Sequence, residues 1–281
     1  MVLRRKKLSG KKAKGDWILN NKLKILLPLV VMLIIFNLAL GQEKSDTSSK
    51  DVKAVKVLIY NGSDTSSNCV LMIESCMEKS NNHNITPYVK FVYNTSEVIN
   101  NKTLSGYDVL ILPGTSEKYD YMNSQNIDVN SVKSFVASGK GFIGICAGAY
   151  SGAEYTEGWY KGWGLAPNVV NEHALDTGNL TVEITSEGDD LFGYGGTKVM
   201  SHVNGPAMYS ADDKVVTFAT YADNNTDYQG YAAIVGDYYG EGRTVLSGVH
   251  PELEPQHPEI LAYLVLWAYN GTDNITSIMG G

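Results

Sequence analysis

One string limits what this chain can fold into more than any other: Gly141-Phe-Ile-Gly-Ile-Cys-Ala-Gly-Ala-Tyr150. A strand candidate, Gly141 to Ile145, runs without a spacer into small residues that open a helix. A turn that sharp forces its apex residue into strained dihedrals, and bulky neighbours would collide with it. The small residues of Gly144-Ile-Cys-Ala-Gly148 relieve that crowding around Cys146. The thiol then projects above the sheet edge at a helix N-terminus, where the positive end of the dipole favours thiolate, the reactive form. Read alone, the pentapeptide fits equally well a small buried cysteine in a tight βα turn.

The flanking sequence supplies the rest of such a sheet. Val55 to Tyr60, Tyr88 to Val92 and Asp108 to Leu112 are short apolar, β-branched runs. Between them Ser67 to Lys79 carries Val70, Leu71, Ile73 and Met77 at helical spacing, and Val129 to Ser138 predicts a helix stopped by Gly139. Strands alternating with helices imply βαβ units and a parallel sheet, with sites outside the carboxyl ends of its strands. Further strands are expected over Leu180 to Ile184, Lys214 to Thr220, Tyr231 to Val235 and Thr244 to Ser247. A hairpin turn is expected at Gly240 to Arg243 and a closing helix at His257 to Tyr269. Cys69 and Cys76 fall seven apart on one helix, about 10 Å, too far for a disulfide, and read as buried, inert thiols.

A thiol nucleophile needs a base and a group to orient the base. His250-Pro251-Glu252 follows the last strand candidate and offers both, two residues apart. His257-Pro258-Glu259 repeats the tripeptide but opens the final helix, where Glu259 suits the first turn. Cys146 with its turn, His250 and Glu252 resemble the triad of class I glutamine amidotransferases. The fuller pattern is Asp108-Val-Leu-Ile-Leu-Pro-Gly114, the Gly141 to Tyr150 string, Asn204-Gly205-Pro206 and Gly248-Val-His-Pro-Glu252. It is similar to the amidotransferase-like domain at the N-terminus of some biotin–protein ligases, over roughly residues 55–270.

That resemblance implies a flavodoxin-like three-layer α/β sandwich with a mostly parallel central sheet. It also implies an oxyanion hole from backbone amides of Ala147 and the Gly114-Thr115 turn. Where the family usually has two glycines after the proline, this chain has Pro113-Gly114-Thr115. Tyr150, His202 and Asn204 are candidates to line the pocket, and the stretch containing Glu154, Tyr155, Trp159, Tyr160 and Trp163 either walls it or packs on the sheet. Gly193-Tyr-Gly-Gly196 reads as a loop. No His/Cys/Asp grouping has metal-ligand spacing, and no metal or cofactor is expected.

The N-terminus points elsewhere. Residues 1–24 hold nine Lys/Arg and one acid, leaving 14 bases against 29 acids in the remainder. An acidic globular part argues against nucleic acid as a partner. The basic head precedes an uncharged apolar stretch, 25–41, in the layout of a cleaved signal or a signal anchor, with the positive end left in the cytoplasm. Eight Asn-x-Ser/Thr sequons, at Asn61, Asn84, Asn94, Asn101, Asn179, Asn224, Asn270 and Asn274, all follow it.

The expected organisation is therefore a head (1–24), one hydrophobic helix or signal (25–41), a flexible linker (42–54), the amidotransferase-like domain (55–270) and a tail (271–281). The expected protein is membrane-anchored with its domain outside the cytoplasm, or secreted, and glycosylated. Two functions stay open. One is a thiol hydrolase acting on a small-molecule amide or peptide, with Cys146 attacking, His250 carrying the proton and Glu252 orienting it. The other is a non-catalytic binding or sensor module that keeps the fold. Biotin ligation is not expected, because few residues follow the last helix.

Overall fold

A computed structural model describes residues 52–116, 120–210 and 212–270. The basic head, the apolar segment 25–41, most of the linker and the tail lie outside the described residues.

The first half alternates as its local patterns demand. β1 (Lys53–Tyr60) leads to α1 (Ser67–Asn82), β2 (Val89–Ser96), α2 (Asn101–Leu104), β3 (Val109–Leu112), α3 (Val129–Ala137), β4 (Gly141–Ile145) and α4 (Ala147–Gly152). Caps set the helix ends. The Ser66 hydroxyl accepts from the Cys69 amide at the start of α1, and Asp128 accepts from the Asn130 amide at the start of α3. Gly139, at φ +96°, turns the chain out of α3.

The second half contains β5 (Ala153–Thr156), β6 (Tyr160–Lys161), β7 (Ala166–His173), β8 (Thr177–Ile184), α5 (Ser186–Phe192) and β9 (Gly196–Val203). After these come β10 (Pro206–Tyr209), β11 (Val216–Tyr221), β12 (Ala232–Tyr239), β13 (Gly242–Ser247) and α6 (Pro258–Asn270). All the strands join one sheet whose main path runs β2-β1-β3-β4-β13-β12-β10-β7-β5-β6. The five strands β2-β1-β3-β4-β13 pair in parallel, in the strand order of a flavodoxin-type doubly wound sheet. From β13 onward the main path is antiparallel except for the parallel β7–β5 pair, and it begins with a β12–β13 hairpin closed by Gly240 and Glu241.

The parallel strands are apolar without interruption because both faces are covered. Val57, Ile59, Ile111 and Ile143 share one core with Val70, Ile73 and Met77 of α1 and Ile260 and Leu264 of α6. Their neighbours Leu58, Leu110 and Phe142 share the other core with Leu104 of α2 and Val132 and Val136 of α3. Each such buried aliphatic side chain contributes about 1.5–3 kcal/mol relative to an exposed one.

Seven elements were not expected from the sequence: α2, β5, β6, β7, α5, β9 and β10. β7 and β10 open on Ala-Pro and on proline, residues that a strand pattern excludes from its interior, and β9 is largely exposed and polar. The helix α5 is short and is set by its Thr185 N-cap and by Gly193 in the left-handed region at its end. Gly193-Tyr-Gly-Gly196 is thus a helix stop leading into β9.

The carboxyl ends of β1, β3, β4 and β13 lie along one sheet edge. The Pro113-Gly114 turn, the Cys146 turn and the Gly248-Val-His250 turn all issue from it. Space there is set by backbone. A Cβ on Gly148 would stand 2.1 Å from the Leu112 carbonyl oxygen, and one on Gly144 would stand 2.3 Å from that of Gly148. Gly148→Ala is therefore expected to lower stability by about 1–3 kcal/mol or more, read as the urea midpoint. An unchanged midpoint would show that the β4–α4 turn yields freely.

Candidate active site

Cys146 caps α4 with φ 54° and ψ −107°, a conformation that non-glycine residues rarely adopt. Its carbonyl accepts from the amides of Ala149 (2.9 Å) and Tyr150 (3.0 Å), and its own amide donates to Ser247 at the end of β13 (2.8 Å). The turn is thus tied on both sides. The side chain is partly exposed, and Sγ donates to the Val203 carbonyl at 3.4 Å.

His250 reaches the same edge from β13. Its amide donates to the Ser201 carbonyl at 2.8 Å, pairing it with β9. Nδ1 stands 2.7 Å from Glu252 Oε1, with both side chains buried. The carboxylate accepts a hydrogen bond from Nδ1–H and leaves Nε2 facing the cleft. Nε2 and Glu252 Oε2 have no hydrogen-bond partner of full geometry among the described residues. Burial works against the imidazolium. The Glu252 charge and contacts with the Cys146 and Cys69 thiols outweigh it, so the His250 pKa lies well above its ordinary 6.5.

A cleft of about 290 Å³ opens over these groups. Ser66, Asn68 and Cys69 line it from the start of α1, Gly114 to Ser116 from the β3 turn, and Val203, Asn204 and Leu253 from the far side. Among the described residues, no charged side chain other than His250 lines it. The Gly114 carbonyl accepts from the Ser66 amide (3.0 Å) and the Tyr121 hydroxyl (3.2 Å), and Thr115 pairs with Thr65. These bonds hold the Gly114–Thr115 peptide at the cleft wall. The Ala147 amide belongs to the first turn of α4, where helix amides have no partner within the helix.

The structure brings together Cys146, His250, Glu252, Gly114, Thr115, Ala147 and Asn204. It sets two other pocket candidates behind the cleft. Tyr150 is fully buried, donates to the Asn204 carbonyl (3.1 Å) and contacts His173 Nδ1 (3.1 Å). His202 is buried too, its ring nitrogens held at 2.9 and 3.1 Å by the carbonyls of Asp176 and Gly205. Burial lowers its pKa, and the two carbonyls oppose that shift. Both residues brace the loop that carries Asn204, which itself sits in the left-handed region. The aromatic stretch packs elsewhere: Trp163 against Phe142 and Trp159 on His173.

His257 and Glu259 also form a bonded pair (3.2 Å), but His257 Nε2 lies 2.9 Å from the Val199 carbonyl and Tyr194 donates to Glu259. That pair is consumed by structure. Cys69 departs from its reading as an inert thiol: it is buried, yet it lines the cleft beside His250. The available signal was its place near the start of α1, directly after β1, on the edge that bears Cys146.

Residues 55–163 match the family model described as biotin-protein ligase, N terminal. In that stretch the chain resembles proteins of the class I glutamine amidotransferase-like superfamily. Among curated proteins, the biotin–protein ligase of Schizosaccharomyces pombe (strain 972 / ATCC 24843) is 26% identical over 233 residues, 74% of this chain. The chain spans 35% of that relative's length. Among solved structures, the cold-adapted β-galactosidase of Rahnella sp. R3 superposes with a TM-score of 0.52 at 16% identity, over 75% of this chain and 31% of the other. That likeness speaks for the fold alone. A glutamine amidotransferase of Thermotoga maritima matches at 14% identity with a TM-score of 0.46, over 80% and 94% of the two chains.

These matches correct the expected setting and role. The expectation was an exported or membrane-anchored glycoprotein, an amide hydrolase or binding module unconnected with biotin ligation. The curated relative is a biotin–protein ligase, and nothing in the matches points to export, a signal or glycosylation. No helix among the described residues is long and apolar enough to cross a membrane, and the segment 25–41 lies outside them. Asn94, Asn101 and Asn179 lie at exposed positions of β2, α2 and β8. The exclusion of biotin ligation, which rested on where the chain ends, falls with the same relative.

A raised His250 pKa contributes stability that is full below the unfolded value near 6.5 and is lost as pH rises through the native value. The gap in urea midpoint between wild type and Glu252→Gln should therefore be widest near pH ~6 and narrow in alkali. A gap independent of pH would remove the His250 charge from this account.

Proposed function

We propose that the chain serves protein biotinylation as an amidotransferase-like domain in which Cys146 is an acyl-accepting thiol. We read the domain, residues 55–270, as a flavodoxin-like three-layer sandwich of the class I glutamine amidotransferase kind. The observation that carries the function is the pairing of Cys146, strained at the apex of its turn, with a His250 locked to Glu252 at 2.7 Å. His250 Nε2 takes the thiol proton as Sγ attacks an activated carbonyl. Glu252 fixes the imidazole tautomer and balances its charge. The Ala147 amide and the Gly114-Thr115 turn stand where the oxyanion develops. A thioester results, with the leaving group protonated by His250. The ligand is a small acyl compound, in keeping with a neutral, polar cleft.

The test is exposure to an activated biotin ester and to an activated acetate ester of matched reactivity, read by intact mass and peptide mapping. A hydroxylamine-sensitive adduct is expected on Cys146, absent in Cys146→Ala, forming faster with the biotin ester. His250→Gln should slow it by about 10²-fold or more. An adduct spread equally over the three cysteines would sink the reading. Equal rates in wild type and His250→Gln would remove His250 from the base role.

A further inference from the structure

Cys69 has no part in the thioester chemistry, yet its thiol is held at the same point as the dyad. A Cβ built on Gly114 would meet His250 Cε1 at 3.2 Å, Cys69 Sγ at 3.5 Å and Cys146 Cβ at 3.7 Å. One donor atom from each of Cys69, His250 and Glu252 lies within 4.8 Å of the others, all three residues being buried. Cys69 Sγ thus stands beside the His250 ring at a point the Cys146 side chain borders, both thiols contact His250, and among the described residues no Lys or Arg lines the wall.

We propose that Cys69 Sγ, Cys146 Sγ and His250 Nε2 form a binding site for a soft divalent cation of the zinc class. Two sulfurs and an imidazole are the donor set such ions select. The Glu252–His250 bond that prepares a base also prepares a ligand. A carboxylate on Nδ1 fixes the tautomer, aims the Nε2 lone pair outward and raises its basicity. Buried Nε2 has no hydrogen-bond partner of full geometry among the described residues, only the two thiols beside it. Cys69 is pre-placed, because its own amide is tied to the Ser66 hydroxyl that caps the 16-residue helix α1. Cys146 is partly exposed, so a fourth position stays open to water or a small ligand.

Binding is not redox. Each thiol gives up its proton to solvent and the sulfur lone pairs bond the cation. The inference goes beyond the acyl-transfer reading and competes with it for one atom. A metal-bound Cys146 is no longer a free nucleophile, so occupancy and thioester formation exclude one another.

The test uses the full chain, stripped with chelator and kept reduced, and titrated with Co²⁺ and then Zn²⁺. An intense near-ultraviolet thiolate-to-cobalt band is expected, saturating at one equivalent and bleached by Zn²⁺. Cys69→Ser and Cys146→Ser should each halve the band and weaken binding. Glu252→Gln should weaken it about 10- to 100-fold. Cys76→Ser, a core thiol outside the cleft, should leave it intact. Alkylation of the wild-type protein needs no variant to fold: Zn²⁺ should protect Cys69 and Cys146 but not Cys76. No thiolate band, a band undiminished in Cys69→Ser, or alkylation of Cys69 indifferent to Zn²⁺ would each overturn the site. A thioester on the stripped protein alongside no metal binding defeats this inference alone, and metal binding without any thioester defeats only the acyl-transfer reading.

Discussion

The close approach of backbone at the β4–α4 turn governs the rest of this structure. Cys146 holds a positive φ only because its neighbours on both sides leave room. Gly144 lies against the Gly148 carbonyl and Gly148 against the Leu112 carbonyl, at distances no side chain could share. That contact pins α4 between β3 and β4. It also places the thiol where the β3 and β13 turns arrive, at the carboxyl edge where an open α/β sheet gathers its ligands. Strain stored at this one residue is offset by the hydrogen bonds around it, from the Ser247 carbonyl to the Ala149 and Tyr150 amides.

The chemistry of the cleft follows from a second constraint, the burial of a charge-capable pair. His250 and Glu252 are sealed beneath the turn that links β13 to α6. A buried ionisable group must find a partner, and the short Nδ1–carboxylate bond is that partner. Its consequence is directional. With Nδ1 committed, whatever His250 does it does through Nε2, and two sulfurs stand there. Base and ligand are the same atom in different company, which is why acyl transfer and cation binding meet in one cleft.

The parallel half was legible in the sequence because its rules are local. Caps, glycine stops and unbroken apolar runs report β1 to β4, α1 and α3 within a few residues of themselves. The antiparallel half was legible only in part: β8, β11, β12 and β13 carry apolar strand patterns, whereas β5, β6, β7, β9 and β10 are defined by partners far away. β7 finds β10 and β5, and β9 is half exposed and polar, so period and propensity carry little of the signal. The N-terminal reading failed differently. A basic head, an apolar stretch and many sequons satisfy the composition of an exported protein, and the curated relative is a biotin–protein ligase instead.

At the site the division is sharpest. The sequence by itself determined the nucleophile's turn, since only small residues around Cys146 permit it, and it supplied two His-x-Glu pairs to serve that turn. Both pairs are hydrogen-bonded, at 2.7 and 3.2 Å. Only the tertiary structure decided between them: the β9 bridge at Ser201 carries His250 into the cleft, while the Val199 carbonyl occupies the free nitrogen of His257. It alone brought Cys69 beside that imidazole. The reason is the sheet, which makes neighbours of turns remote in sequence and so settles which of several chemically equivalent side chains share one cleft.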